Sequence, residues 1–372
     1  MTTEDLDKAP EAPLRGVRRL PWMVIIPMIA VVVLAGTWGT KPGAAILVIV
    51  GVVLAGAVTS AVHHAEVVAH RAGEPFGSLI LAVAVTVIEV GLIVTLMVSG
   101  GPETATLARD TVFAAVMITC NGVVGLTILI VALRRHTASF NAEGTASALA
   151  TVATLATLSL VLPRFTTSAP GPQFSGAQLA FAAVASIALY GLFVVVQTVR
   201  HRDYFVPDGA TADDDHAALP SGRQTLISLG LLVVALFAVV GLAKVESPGI
   251  EDAVDAVGAP QSAVGVVIAL LVLAPETLSA ARNAMRGRTQ TSLNLSYGSA
   301  MASIGLTIPA IAIASIWLEG PLELGLGSTQ MVLLAITVVV GAFTVLPGRA
   351  TLQEGGVHLA LFAAFIFLAI NP

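Results

Sequence analysis

Residues 77–99 read GSLILAVAVTVIEVGLIVTLMVS. The run is long enough to cross the hydrocarbon of a bilayer, which takes roughly 20 apolar residues in a helix. It carries one carboxylate, Glu89, near its centre. The pattern recurs along the chain. Candidate spans are 22–38, 44–62, 77–99, 110–133, 145–163, 177–199, 224–243, 262–281, 293–318, 329–346 and 355–371. A single soluble core cannot absorb so much apolar surface, because core volume stops growing well before a chain reaches this length. Of 372 residues, 56% are hydrophobic and only 11% charged, against ~25% charged in soluble domains. The remaining solvent for these side chains is lipid. The expected fold class is therefore an all-α polytopic membrane protein of about eleven transmembrane helices, since helices satisfy their own backbone polar groups in lipid.

The charges orient the spans. With the N terminus inside, all of the 18 Lys and Arg residues fall on the inner side except Lys41, Arg109, Arg164 and Lys244. That is the bias of the positive-inside rule, and removing one central span would abolish it. The first 20 residues are polar and mixed in charge, and no short apolar run with a small-residue cleavage site follows them. They read as a cytosolic tail rather than a cleaved leader. An even walk through the spans then puts the C terminus outside.

Two segments resemble each other, 66–127 and 251–307. Each starts with a carboxylate near a helix end, Glu66 or Glu251, followed by a turn, Gly73-Glu74-Pro75 or Gly258-Ala259-Pro260. An apolar helix with one glutamate comes next, Glu89 or Glu276, and then a helix rich in small and polar residues. The span with Glu89 runs from inside to outside and that with Glu276 from outside to inside, so the units are inverted. Inverted repeats are the architecture of many secondary transporters, whose sites lie near the midplane at the repeat interface. The expected organisation is a cytosolic tail (1–20), a first transmembrane helix (21–43), a five-helix repeat (44–199), an acidic cytosolic linker (200–223) and a second five-helix repeat (224–372).

Glu89 and Glu276 are the two carboxylates placed well inside apolar spans. A charge at the bilayer centre costs about 2.5–3.5 kcal/mol on insertion scales, so each needs compensation. No Lys or Arg lies deep in a span; protons or a bound cation remain. Burial favours the protonated form of a carboxyl, and two facing carboxyls favour it further, whereas a divalent cation favours both ionised. Competition between protons and a cation for the same oxygens is the physical basis of exchange. A hard cation such as calcium takes oxygen ligands. Asn121, Ser299, Ser303 and Thr86 are candidate supporting ligands. Pro275 removes a backbone donor just before Glu276, which frees a carbonyl. The plainer alternative at either glutamate is a protonated side chain bonded to nearby backbone.

At these residues the chain resembles the calcium/cation antiporter superfamily, in particular its bacterial calcium/proton (and sodium or potassium/proton) antiporters. Ala69-His70-Arg71-Ala72-Gly73-Glu74-Pro75-Phe76-Gly77, followed by Val87-Ile88-Glu89-Val90, is similar to the first repeat of that group. So is Arg109-Asp110-Thr111 leading into Asn121-Gly122, while Ala274-Pro275-Glu276 with Gly298-Ser299 is similar to the second repeat. The resemblance implies that Glu89 and Glu276 bind the transported cation and exchange it for protons, and that Glu66 and Glu251 are auxiliary carboxylates at the entrances. The chain departs from the Gly-Asn-Ala-x-Glu motif of much of the superfamily: Ala84-Val85-Thr86-Val87-Ile88 and Val272-Leu273-Ala274-Pro275 precede the glutamates, without the amide side chains.

Weaker signals remain. His63, His64 and His70 lie beside Glu66 and could sense pH, although a polar helix end is the simpler reading. Asp203, Asp208, Asp213, Asp214, Asp215 and His216 form the acidic linker, read as a solvated tether before a regulatory element. Glu246, Asp252 and Asp255 read as rim charges that concentrate cations, and His358 as a structural histidine. The single cysteine, Cys120, excludes an intrachain disulfide. There is no phosphate-binding Gly-rich loop ending in Lys-Ser/Thr and no paired-histidine zinc motif, and no basic stripe for nucleic acid. The expected function is secondary active antiport, not enzymatic catalysis and without a cofactor. Calcium is the expected cation, with sodium or potassium as alternatives. A passive cation channel, or a membrane-embedded enzyme, is the competing class.

Overall fold

The computed structural model describes residues 21–40, 42–73, 76–100, 104–206, 219–256, 258–260, 262–318 and 320–372. The tail 1–20, Lys41, the Glu74-Pro75 turn and the linker residues Asp208, Asp213, Asp214, Asp215 and His216 lie outside the described residues. The helices are α1 (Pro21–Thr37), α2 (Ala44–Ala72), α3 (Phe76–Gly100), α4 (Leu107–Met117), α5 (Val124–Arg135), α6 (Ala142–Ala156), α7 (Gly176–Val195), α8 (Gly222–Ala256), α9 (Ser262–Met285), α10 (Thr289–Ala314), α11 (Ser328–Val345) and α12 (Leu352–Ile370). A π-helical stretch, Ile118–Val123, joins α4 to α5 into one span. The strands β1 (Ala138–Ser139) and β2 (Arg349–Ala350) pair antiparallel.

Among the described residues ten spans are long and apolar enough to cross a membrane, and α1 is a shorter apolar helix. The protein is an all-α, multi-pass membrane protein. Large apolar side chains such as Val32, Val48, Val52, Phe181, Phe237 and Phe343 are exposed, which only lipid makes favourable.

Helix ends follow capping chemistry. Ser175 and Gln178 form a reciprocal capping box at α7, as Thr351 and Glu354 do at α12. The α2 helix continues past the expected 44–62 until Gly73, whose positive φ of 69° ends it. His63, His64, Glu66 and His70 are therefore helical. Likewise α8 was expected at 224–243 but runs to Ala256, through Lys244, Glu246 and Glu251. A drop in hydropathy marks the edge of an apolar run, whereas hydrogen bonding carries the helix on until the backbone is interrupted.

The α2 and α8 helices are antiparallel neighbours. Glu246 lies against Gly51, Leu47 against Gly249, and Arg71 donates to the Pro220 carbonyl at the opposite end. Two apolar cores result. One gathers Phe113, Met117, Leu155, Leu293, Met301 and Ile308. The other gathers Leu34, Leu54, Val58, Val239 and Leu242. Helices α3 and α9 serve both: Ile93 and Leu273 belong to the first, Ile88, Leu92, Ile268 and Val272 to the second. The two helices that carry the central glutamates thus occupy the boundary.

Candidate cation-binding site

Glu89 stands mid-way along α3 and is 4% exposed. Its carboxylate accepts from two hydroxyls on α10: Ser303 Oγ donates to Oε1 at 2.6 Å and Thr307 Oγ1 to Oε2 at 3.1 Å. A spacing of four residues stacks those hydroxyls on one helix face. The first bond has the length of a charge-assisted O–H···O contact.

Glu276 stands mid-way along α9, directly after Pro275, and is 9% exposed. Pro275 cannot donate, so the carbonyl of Leu271 lacks its usual helical partner. Glu276 borders a narrow crevice with Thr119 and Val123 of the π-helical stretch and Ser296 and Ser299 of α10. Its Oε2 is buried without a hydrogen-bond partner. Ser296, Ser299, Ser303 and Thr307 form one stripe along α10, reaching from the Glu276 crevice to Glu89. Acid side chains and hydroxyls make an all-oxygen set of a kind that suits a hard cation or protons. No group of three or more His, Cys, Asp or Glu able to hold a metal occurs among the described residues.

The other expected residues divide. Ser303 touches Glu89 and Ser299 borders Glu276, as above. Thr86 is buried on α3, three residues before Glu89. Asn121 is fully buried but turned away: its amide bonds Thr337 on α11 and His358 on α12. Glu66 is exposed on α2, whereas Glu251 accepts from Ser247 one turn earlier on α8. The antiparallel packing puts Glu66 and Glu251 at opposite ends of the α2/α8 pair. The histidines do not form one cluster. His64 is buried, with Nε2 3.1 Å from the Met23 carbonyl of α1 and its ring edge-on to His63, while His70 is exposed.

Two further carboxylates, placed by sequence at a helix end and at the rim, are partly or wholly shielded from solvent. Asp110, 3% exposed, accepts from Arg109 Nε (2.8 Å), Gln330 Nε2 (3.0 Å) and Thr106 Oγ1 (2.8 Å). It ties α4 to α11. The Arg109-Asp110 dipeptide was the available signal, and the remote Gln330 was invisible. Glu246, half-buried, lies within α8 against Gly51, with Oε2 buried and unpartnered.

With this geometry in place, known proteins can be compared. The sodium/calcium exchanger protein family matches residues 42–199 and 227–371. The chain belongs to that family. It is a family of transporters, in keeping with the reading of the chain as no enzyme. Among curated relatives, a putative ionic transporter, y4hA, of Sinorhizobium fredii is 45% identical over 94% of this chain and 96% of its own length. The sodium-potassium/proton antiporter ChaA of Escherichia coli is 35% identical over 92% of this chain and 94% of its own. Among solved structures, the H+/Ca2+ exchanger CAX superposes with a TM-score of 0.71 at 16% identity, covering 93% of this chain and 86% of that one. At such identity the likeness speaks for the fold.

Proposed function

We propose that this chain is a secondary active antiporter that exchanges a cation for protons by alternating access at Glu89 and Glu276. Two inverted five-helix units, 44–199 and 224–372, would flank the site, in an inner membrane with the N terminus cytoplasmic and the C terminus outside. The observation that carries the reading is the cross-half pairing of Glu89 with Ser303 and Thr307 beside Glu276, whose Oε2 is buried and unpartnered. Such oxygens bind protons or a cation in turn, and Glu66 and Glu251 would serve opposite entrances.

Calcium is the cargo expected from the sequence. The relative named as a sodium-potassium/proton antiporter supports a second reading, with sodium or potassium as cargo. Inside-out vesicles with an imposed proton gradient and a pH dye test both. Calcium, sodium and potassium are added separately to wild type, Glu89→Gln and Glu276→Gln. The reading holds if a cation collapses the gradient in wild type and in neither variant. It fails if no cation does so at any pH, or if both variants behave like wild type.

A further inference from the structure

A second cavity shares no residue with the Glu276 crevice. It holds about 180 Å³ and opens where the end of α5, strand β1, the α9–α10 turn and the start of α10 meet. One water needs only ~10–15 Å³, so the space admits a small molecular group. Among the described residues no carboxylate lines it, and one cation does, the exposed Arg135.

The chain shapes the cavity around that guanidinium. His136, at a φ of 66°, ends α5 directly after Arg135 and turns the backbone into β1. Gly287, at a φ of 76°, lies in the turn between α9 and α10, and the Arg135 guanidinium occupies the place where a side chain at 287 would stand. Arg134 is committed to the Met285 carbonyl (2.6 Å), whereas Arg135 has no hydrogen-bond or ion-pair partner among the described residues. Thr289 also lines the cavity. It is only 5% exposed, yet its hydroxyl makes no hydrogen bond to the described residues. Thr289 opens α10, whose N terminus has no side-chain cap, so the first N–H groups of that helix lack partners too. The amide oxygens at the cavity wall are already engaged. Gln290 Oε1 accepts from Asn141 N at 2.7 Å, and Asn141 Oδ1 accepts from Gly144 N at 2.8 Å. Donors remain: the Arg135 fork, the Thr289 hydroxyl and the leading N–H groups of α10.

We propose that this cavity binds a phosphate-class oxyanion, carried by an anionic phospholipid headgroup or free as soluble phosphate. A guanidinium presents paired N–H donors that match phosphate oxygens two at a time. An uncapped helix N terminus adds N–H groups and the positive end of the helix dipole. The Thr289 hydroxyl gains the partner it lacks. Arg135 belongs to the first half of the chain and Thr289 to the second, so the bound anion ties the halves together. The site stands apart from the carboxylates, and its test does not depend on transport.

That test is isothermal titration of the full chain in neutral detergent and buffered chloride. Inorganic phosphate is the probe in one arm and short-chain phosphatidylglycerol in the other. A single equivalent of at least one probe should bind wild type. Arg135→Gln should weaken that binding by roughly tenfold or more, the scale of a charge-assisted hydrogen bond, and Thr289→Val by several-fold. Arg134→Gln removes the same charge next door and should stay near the wild-type affinity, because salt screens exposed charges. Binding of inorganic phosphate assigns the soluble source, and binding of phosphatidylglycerol alone assigns the lipid. If Arg135→Gln does not fold, Thr289→Val decides. The proposal is overturned if neither probe binds wild type, or if the folded variants bind as wild type does. It is equally overturned if Arg134→Gln loses as much as Arg135→Gln, which would mark a diffuse attraction of anions rather than a site.

Discussion

Ser303 on α10 donates a 2.6 Å hydrogen bond to Glu89 on α3, so a carboxylate from the first half of the chain is held by a hydroxyl from the second. The α10 stripe continues to Ser299 and Ser296 at the Glu276 crevice. The two acids are linked through one helix face.

Removing the shorter bond should matter more. A hydrogen bond to a charged group contributes about 1.5–3 kcal/mol. Ser303→Ala should therefore raise the cation KM by about tenfold, and Thr307→Val, which removes the 3.1 Å bond, by less. Dye-monitored exchange in vesicles measures both. Equal effects, or none, would assign the hydroxyls to packing.

Glu276 Oε2 has no partner in the protein. A neutral isostere removes the cost of a buried charge without opening a cavity. Glu276→Gln should keep an apparent Tm at or above wild type in detergent while exchange is lost. A large drop in Tm would instead mark Glu276 as part of the scaffold.

Asp110 is the opposite case, with every oxygen engaged. Asp110→Ala leaves Arg109 Nε and Gln330 Nε2 without their acceptor, and breaking a buried pair costs about 3–5 kcal/mol. A clear fall in apparent Tm should result, together with faster proteolysis in the loops before α4 and α11. Thermal stability unchanged from wild type would contradict this role.

Gly125→Ala should act through the α5–α12 contact. The added methyl meets the Leu359 backbone nitrogen, which cannot rotate aside. Overpacking of this kind costs about 1–3 kcal/mol, read as a lower apparent Tm. Gly298→Ala, where a Cβ meets nothing within 4 Å, should be neutral and serves as the control.

Much of this was legible in the sequence. The apolar runs announced the spans, because lipid demands a length and a composition that few other settings do. Glu89 and Glu276 were legible for the same reason, as costly residues in an apolar run. Ser303 and Ser299 followed from the small and polar character of α10. The direction of Asn121 was not legible. Its partners Thr337 and His358 are more than 200 positions away in the chain, and residue type alone does not say which way an amide turns. Asp110 does lie in the first turn of α4, but its burial was not legible, nor was the shielding of Glu246 Oε2, because hydropathy finds the edge of an apolar run, not the burial of a side chain beyond it. Glu246 packs against Gly51 on another helix, a relationship with no local signature.

The division into two cores has a mechanical meaning. Packed interiors resist compression, but neighbouring helices slide past one another at modest cost. A molecule with one core would have to loosen it to change shape. Here each core can stay solid while the boundary slips, and α3 and α9 lie along that boundary. On the function proposed above, joint and cargo hold would coincide, because Glu89 and Glu276 stand on the two helices at that boundary.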